Sequence, residues 1–91
     1  MKKIEVSQVN DDSEDYVFDI KINGYKYKVT FTEEYYKKLT AGKISPNELV
    51  KKSFEFLLSR EGPESILLEF DLPTIQKYFP EYETLTQAEV G

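Results

Sequence analysis

The side chains available for chemistry in this chain of 91 residues are carboxylates, lysines, one arginine, tyrosines and hydroxyls; histidine and cysteine are both missing. Their absence removes the side chain that titrates nearest neutral pH, the thiol nucleophile and the soft metal ligands together. General acid–base work would fall to two carboxylates whose surroundings drive their pKa values apart. No spacing here places two acids in one apolar pocket. A carboxylate enzyme is therefore the least favoured reading, and neither catalytic residues nor a cofactor are expected.

Four constellations remain. The run Asp11, Asp12, Glu14 and Asp15 offers oxygen ligands to a hard cation. It lacks the alternating ligand spacing and central glycine of a calcium-binding loop, so a solvated loop is the expectation and no metal is assigned. Lysines concentrate between residues 21 and 52. Among them Lys37, Lys38, Lys43, Lys51 and Lys52 surround two expected helices and form the candidate phosphate-binding set. Against a nucleic-acid surface stand the net charge of −5 and the near absence of arginine, the residue best suited to reading base edges. Arg60 is expected to lie along the core with its head on an acid such as Glu64 or Asp71, or else to clamp a partner carboxylate. Last, seven tyrosines and six phenylalanines are many for this length. Tyr36, Phe56, Tyr78 and Tyr82 fall at the edges of apolar stripes or beyond them. With Arg60 they make the candidate partner-binding set, because aromatic residues and arginine are enriched at protein interfaces.

The elements that must carry these residues are legible in part. Ile4 and Val6 alternate with polar neighbours in a short strand. Tyr16, Phe18, Ile20 and Ile22 alternate with Val17, Asp19 and Lys21; after Asn23-Gly24 the alternation resumes in Tyr25, Tyr27, Val29 and Phe31. Asn-Gly is the preferred two-residue hairpin turn, since both positions need positive φ. The turn sets Ile22 opposite Tyr25, Ile20 opposite Tyr27, Phe18 opposite Val29 and Tyr16 opposite Phe31, all on one face. A slip of one residue would bury lysines.

Thr32 then caps a short helix that Gly42 stops. Ser45, Pro46 and Glu48 form a complete helix start, with Ile44 and Leu49 as its hydrophobic staple. That helix is expected over 46–61. Its apolar arc, from Leu49 through Phe54 to Leu58, spans about 200°, roughly twice what a surface helix needs, so it should be central. Pro63 is expected to begin another helical turn containing Ile66, Leu67 and Phe70. Asp71 would cap a last helix over 72–79, and residues 81–91, without periodicity, are expected to be a flexible tail.

These elements predict one α+β domain over residues 1–80: a three-stranded antiparallel sheet followed by three to four helices packed on one sheet face. A chain this short hides only about 60–65% of its unfolded surface and here has no disulfide, so packing must hold it. The freedom from cysteine fits a reducing compartment, and no stretch approaches the roughly 20 apolar residues of a membrane span, so a cytoplasmic protein is expected. By segment, residues 1–20 carry two lysines against six acids, 21–52 eight lysines against three, and 53–91 two cations against eight. Small size, uneven charge and no catalytic set point to a regulatory or adaptor module that binds a protein partner, as a monomer or weak homodimer.

Overall fold

The computed structural model of the chain describes residues 3–9 and 14–90. Among them the strands are β1 (Ile4–Gln8), β2 (Tyr16–Ile22), β3 (Tyr25–Phe31) and β4 (Glu69–Asp71), and the α-helices are α1 (Glu33–Thr40), α2 (Pro46–Arg60), α3 (Pro73–Tyr78) and α4 (Tyr82–Val90). A 3-10 turn, Pro63–Ser65, lies between α2 and β4. The sheet runs β1-β2-β3-β4. Its first three strands are antiparallel, and β4 joins β3 in parallel.

The hairpin has the register that its turn dictates. Tyr16 lies opposite Phe31, Phe18 opposite Val29, Ile20 opposite Tyr27 and Ile22 opposite Tyr25. Asn23 and Gly24 both take positive φ, 48° and 85°. A Cβ added at Gly24 would meet nothing within 4 Å, so replacing it carries only the backbone cost of the left-handed conformation. Gly24→Ala is expected to lower stability by about 1–2 kcal/mol. In thermal unfolding followed by circular dichroism, each kcal/mol corresponds to a fall in Tm of about 4–8 °C for a domain of this size.

Ile4 and Val6 of β1 lie opposite Ile22 and Ile20, which extends the apolar face by one strand. The other face carries Asp19, Lys21, Lys26 and Lys28 exposed, as an antiparallel sheet with one wet side requires. Val17, buried on that side, is the exception.

Helix α2 begins as its sequence specifies, with the Ser45 hydroxyl accepting from the Glu48 N–H at 3.2 Å. Its wide apolar arc has two neighbours. Phe54 meets Tyr27 of β3 and Phe70 of β4 at ring-centroid distances of 5.3 and 5.9 Å. Ser53 and Phe56 meet Tyr82 of α4. Helix α1 starts with the Thr32 hydroxyl accepting from the Tyr35 N–H. Its turn out of the helix uses two left-handed residues, Ala41 (φ 52°) before Gly42 (φ 74°).

Two expectations are corrected. The segment after Pro63 is not a continuing helix: after one 3-10 turn it extends into β4. The spacing of Ile66, Leu67 and Phe70 suits either form, and the open edge of β3 decides between them. The Lys28 N–H donates to the Leu68 carbonyl at 2.8 Å, and the Leu72 N–H donates to the Thr30 carbonyl at 3.0 Å. Phe70 thereby falls beside Val29 on the core side, and Glu69 beside Lys28. The sheet accordingly has four strands and is mixed.

The expected tail is likewise helix α4. Its N-terminus is capped from outside, where the Gln76 side-chain oxygen accepts from the Glu83 N–H at 2.9 Å while its amide donates to the Pro80 carbonyl at 2.6 Å. One side chain so satisfies an N–H that the helix start leaves without an intrahelical partner and a carbonyl of the turn that leads into it.

Candidate functional site

An apolar groove lies where α2 ends against β4 and α3. The last turn of α2 supplies Leu57, the connection to β4 supplies Ile66 and Leu67, β4 supplies Phe70, and α3 supplies Ile75 and Tyr78. They surround a groove of about 340 Å³, near the lower end of the roughly 300–1,000 Å³ typical of binding pockets. Local sequence explains each wall. Gly62-Pro63 breaks α2 and turns the chain across its end. The β4 pairing then holds Phe70 inward, and the Asp71 carboxylate, accepting from the Thr74 N–H at 3.2 Å, starts the turn of α3 that presents Ile75 and Tyr78.

Leu57, Ile66 and Ile75 form a buried floor. The rim is exposed: Leu67 retains 51% and Tyr78 67% of its accessible surface, and Leu68, next along the chain, retains 61%. Leu67 and Tyr78 thus leave apolar surface in water around one groove, and contiguous apolar surface of this kind marks interaction sites. Glu61 lines the same groove. The Glu64 carboxylate lies against Gly62, one residue further on. Neither acid has an ion pair with a cation among the described residues.

A second depression, about 470 Å³, lies between α2 and α4 and includes Lys52, Glu55, Arg60 and Glu89. Its charges are largely matched internally. Lys52 pairs with Glu89 at 3.8 Å, and Arg60 pairs with Glu81 at 3.4 Å while its guanidinium lies 4.7 Å from the centre of the Phe56 ring. The acid held by Arg60 is thus neither Glu64 nor Asp71. Glu81 lies in the segment whose sequence reads as a tail.

The aromatic set expected to bind a partner is not one patch. Tyr36 packs edge-on against Tyr16 and donates its hydroxyl hydrogen bond to the Ile44 carbonyl. Phe56 lies between Phe79 and Tyr82. Tyr82 itself is fully buried, so its place is in the core rather than at a surface. Tyr78 alone of the set lines the groove. The spacing of Leu67 and Phe70 reads as a helix stripe, and Leu67-Leu68 just after the Gly62-Pro63 break carries no sign of how the structure presents them.

The five candidate phosphate-binding lysines are also dispersed. Lys37 pairs with Glu33 and Lys38 with Glu83, and Lys38 also lies over the Tyr35 ring. Lys52 pairs with Glu89, while Lys43 and Lys51 are exposed. Of the acidic run, Asp11 and Asp12 lie outside the described residues, and Glu14 and Asp15 are exposed. Among the described residues no three acids gather as metal ligands would.

The perturbed titrating groups are tyrosines, and their roles are in packing. Burial raises the pKa of Tyr82. Since the Ser53 hydroxyl donates to the Leu49 carbonyl, the bond of 2.6 Å between the two hydroxyls is donated by Tyr82. Tyr35 is raised by burial first, then by Tyr82 and by its hydrogen bond to the Glu83 carboxylate. Tyr27 is raised by burial first, then by Tyr25, Glu64 and Glu61. None of the three lines the groove.

Each raised tyrosine resists ionisation when folded but ionises near pH 10 when unfolded. Their contribution to stability is therefore whole below about pH 10 and is lost as pH climbs above it. Urea unfolding between pH 8 and 12 is expected to show a flat region and then a decline. The late tyrosinate absorbance at 295 nm should appear together with unfolding. Ionisation of every tyrosine near pH 10 with the fold intact would contradict this.

No helix among the described residues is long and apolar enough to cross a membrane. Comparison with protein-family models, with curated proteins and with solved structures finds no match.

Proposed function

We propose that this chain is a non-catalytic protein-binding domain, a regulatory or adaptor module, whose contact surface is the groove between the end of α2, β4 and α3. The observation that carries this reading is the exposure of Leu67 and Tyr78 at the rim of an apolar groove whose floor is already buried. Large apolar side chains around a concave surface supply affinity through the area they remove from water. Catalysis finds less support, since Glu61 is the only titratable carboxylate in the groove lining and no second acid lies across from it. A phosphate or nucleic-acid surface also finds less support, because Lys37, Lys38 and Lys52 already face acids. Freedom from cysteine suits the reducing cytoplasm as the place where the domain works.

Affinity capture from the native host tests the reading. A protein retained by the wild-type chain, lost with Leu67→Ser or Tyr78→Ser and kept with Lys43→Ser plus Lys51→Ser supports it. Both groove residues are exposed, so the variants should fold. Retention by every variant would place the contact elsewhere.

A further inference from the structure

We infer that the groove takes a cationic segment of its protein partner: a stretch whose leucine or aromatic side chains enter the groove while its lysines or arginines reach Glu61 and Glu64. The inference rests on the groove being the contact surface and adds the chemistry of what fills it. Charge is the deciding observation. Glu61 lines the groove, the Glu64 carboxylate lies against Gly62 beside it, and the Asp71 carboxylate accepts from Thr74 of the lining, whereas no lysine or arginine is among the lining residues. Lys77 lies outside the lining. The nearest arginine, Arg60, is held by Glu81 and stacked on Phe56, so it does not neutralise this side.

Glu61 and Glu64 flank Gly62-Pro63, the Glu64 carboxylate lies against Gly62, and the Tyr27 hydroxyl donates to the Pro63 carbonyl. That hydrogen bond anchors the 3-10 turn to the sheet and so holds Glu61 at the apolar opening, with Glu64 next to it across Gly62. An acidic rim repels a phosphate backbone or an anionic lipid surface and attracts lysine and arginine. Complementary potentials of this kind steer encounter and select among partners. The apolar floor supplies the affinity that exposed ion pairs do not.

Three lining side chains, Leu67, Phe70 and Tyr78, leave room for a few large side chains within 340 Å³. That is the demand of an amphipathic helix laid by one face into a groove, with anchors three and four residues apart. A second copy of this chain is a competing occupant, because its own segment 21–52 is lysine-rich.

The probe is a synthetic 14-residue amphipathic peptide of leucine and lysine carrying one tryptophan. The chain has no tryptophan, so the emission of the peptide is read without background. Binding to the wild-type chain should shift that emission to the blue and raise its anisotropy. The counterpart with glutamate for lysine should not bind. Tyr78→Ser and Leu67→Ser, which leave net charge unchanged, should weaken binding about 30-fold if each is an anchor. Glu61→Gln with Glu64→Gln should weaken it about fivefold and flatten its salt dependence.

Equal binding of both peptides, or no change in the Glu61→Gln, Glu64→Gln variant, would overturn the inference while leaving the groove as the contact surface. Binding that survives Tyr78→Ser and Leu67→Ser would mean that the peptide adheres to acidic surface in general, which overturns the inference as well. Elution of the chain as a dimer that Tyr78→Ser converts to monomer would give the groove to a second copy and equally overturn it. Loss of the native partner with the groove variants, together with failure of the lysine peptide, separates a wrong occupant from a wrong site.

Discussion

Tyr82→Ala is expected to lower the unfolding free energy by about 3–5 kcal/mol, the usual cost of emptying a buried aromatic site. Tyr82 is fully buried. Its ring packs on Phe56 at 5.4 Å, and its hydroxyl donates to Ser53 on α2. It is the residue that fastens α4 to the rest of the domain, with help from the Glu83 carboxylate between Tyr35 and Lys38. Native domains have about 5–15 kcal/mol in total, so the variant should be close to unfolded at 37 °C. Tyr82→Phe separates the ring from the hydroxyl. It removes one hydrogen bond but leaves the Ser53 hydroxyl donating to the Leu49 carbonyl, so no buried donor is orphaned. Its cost is expected to be about 1 kcal/mol. Urea denaturation of the two variants measures both values. A loss below 1 kcal/mol for Tyr82→Ala would mean that α4 contributes little to the core.

Phe54→Ala is expected to be about as damaging, about 3–5 kcal/mol, with a different local consequence. Phe54 is fully buried and lies between Tyr27 and Phe70. It thus joins α2 to both strands that bear the parallel pairing. Strand β4 spans only Glu69–Asp71, too short to hold by its ladder alone, and Phe70 is the side chain that packs it down. Loss of the Phe54 ring should therefore free β4 before the antiparallel strands. Hydrogen exchange followed by NMR should show the Lys28 and Leu72 amides, which bond across the β3–β4 seam, exchanging faster than amides between β1 and β2. Phe54→Leu keeps most of the volume and should cost about 1.5 kcal/mol or less. Uniform acceleration of all sheet amides would show that the seam has no separate stability.

How much of this was legible follows the range of each interaction. Asn23-Gly24 and the alternation around it specify the hairpin, because turn geometry and a period of two leave one register. Ser45-Pro46 and Glu48 specify where α2 begins, since a cap acts within three residues. The width of its apolar arc already indicates two neighbours, and the structure supplies them as the sheet and α4. The candidate site was far less legible. Tyr78 stands out in the sequence, but Leu67 and Phe70 read as a helix stripe, and Tyr82 reads as a partner-binding residue although the core holds it.

By itself, then, the sequence determines the elements whose signals are local: a first strand, a hairpin in register, two capped helices and the break at Gly62-Pro63. Only the tertiary structure decides β4, α4 and the groove. The unpaired edge of β3 converts residues 69–71 to strand by offering hydrogen bonds to a stretch with no strong preference. Gln76 and Ser53 convert the expected tail to helix by supplying a cap and a buried hydroxyl from elsewhere in the chain. The groove is the space left where those two decisions meet, and so no spacing of residues along the chain announces it.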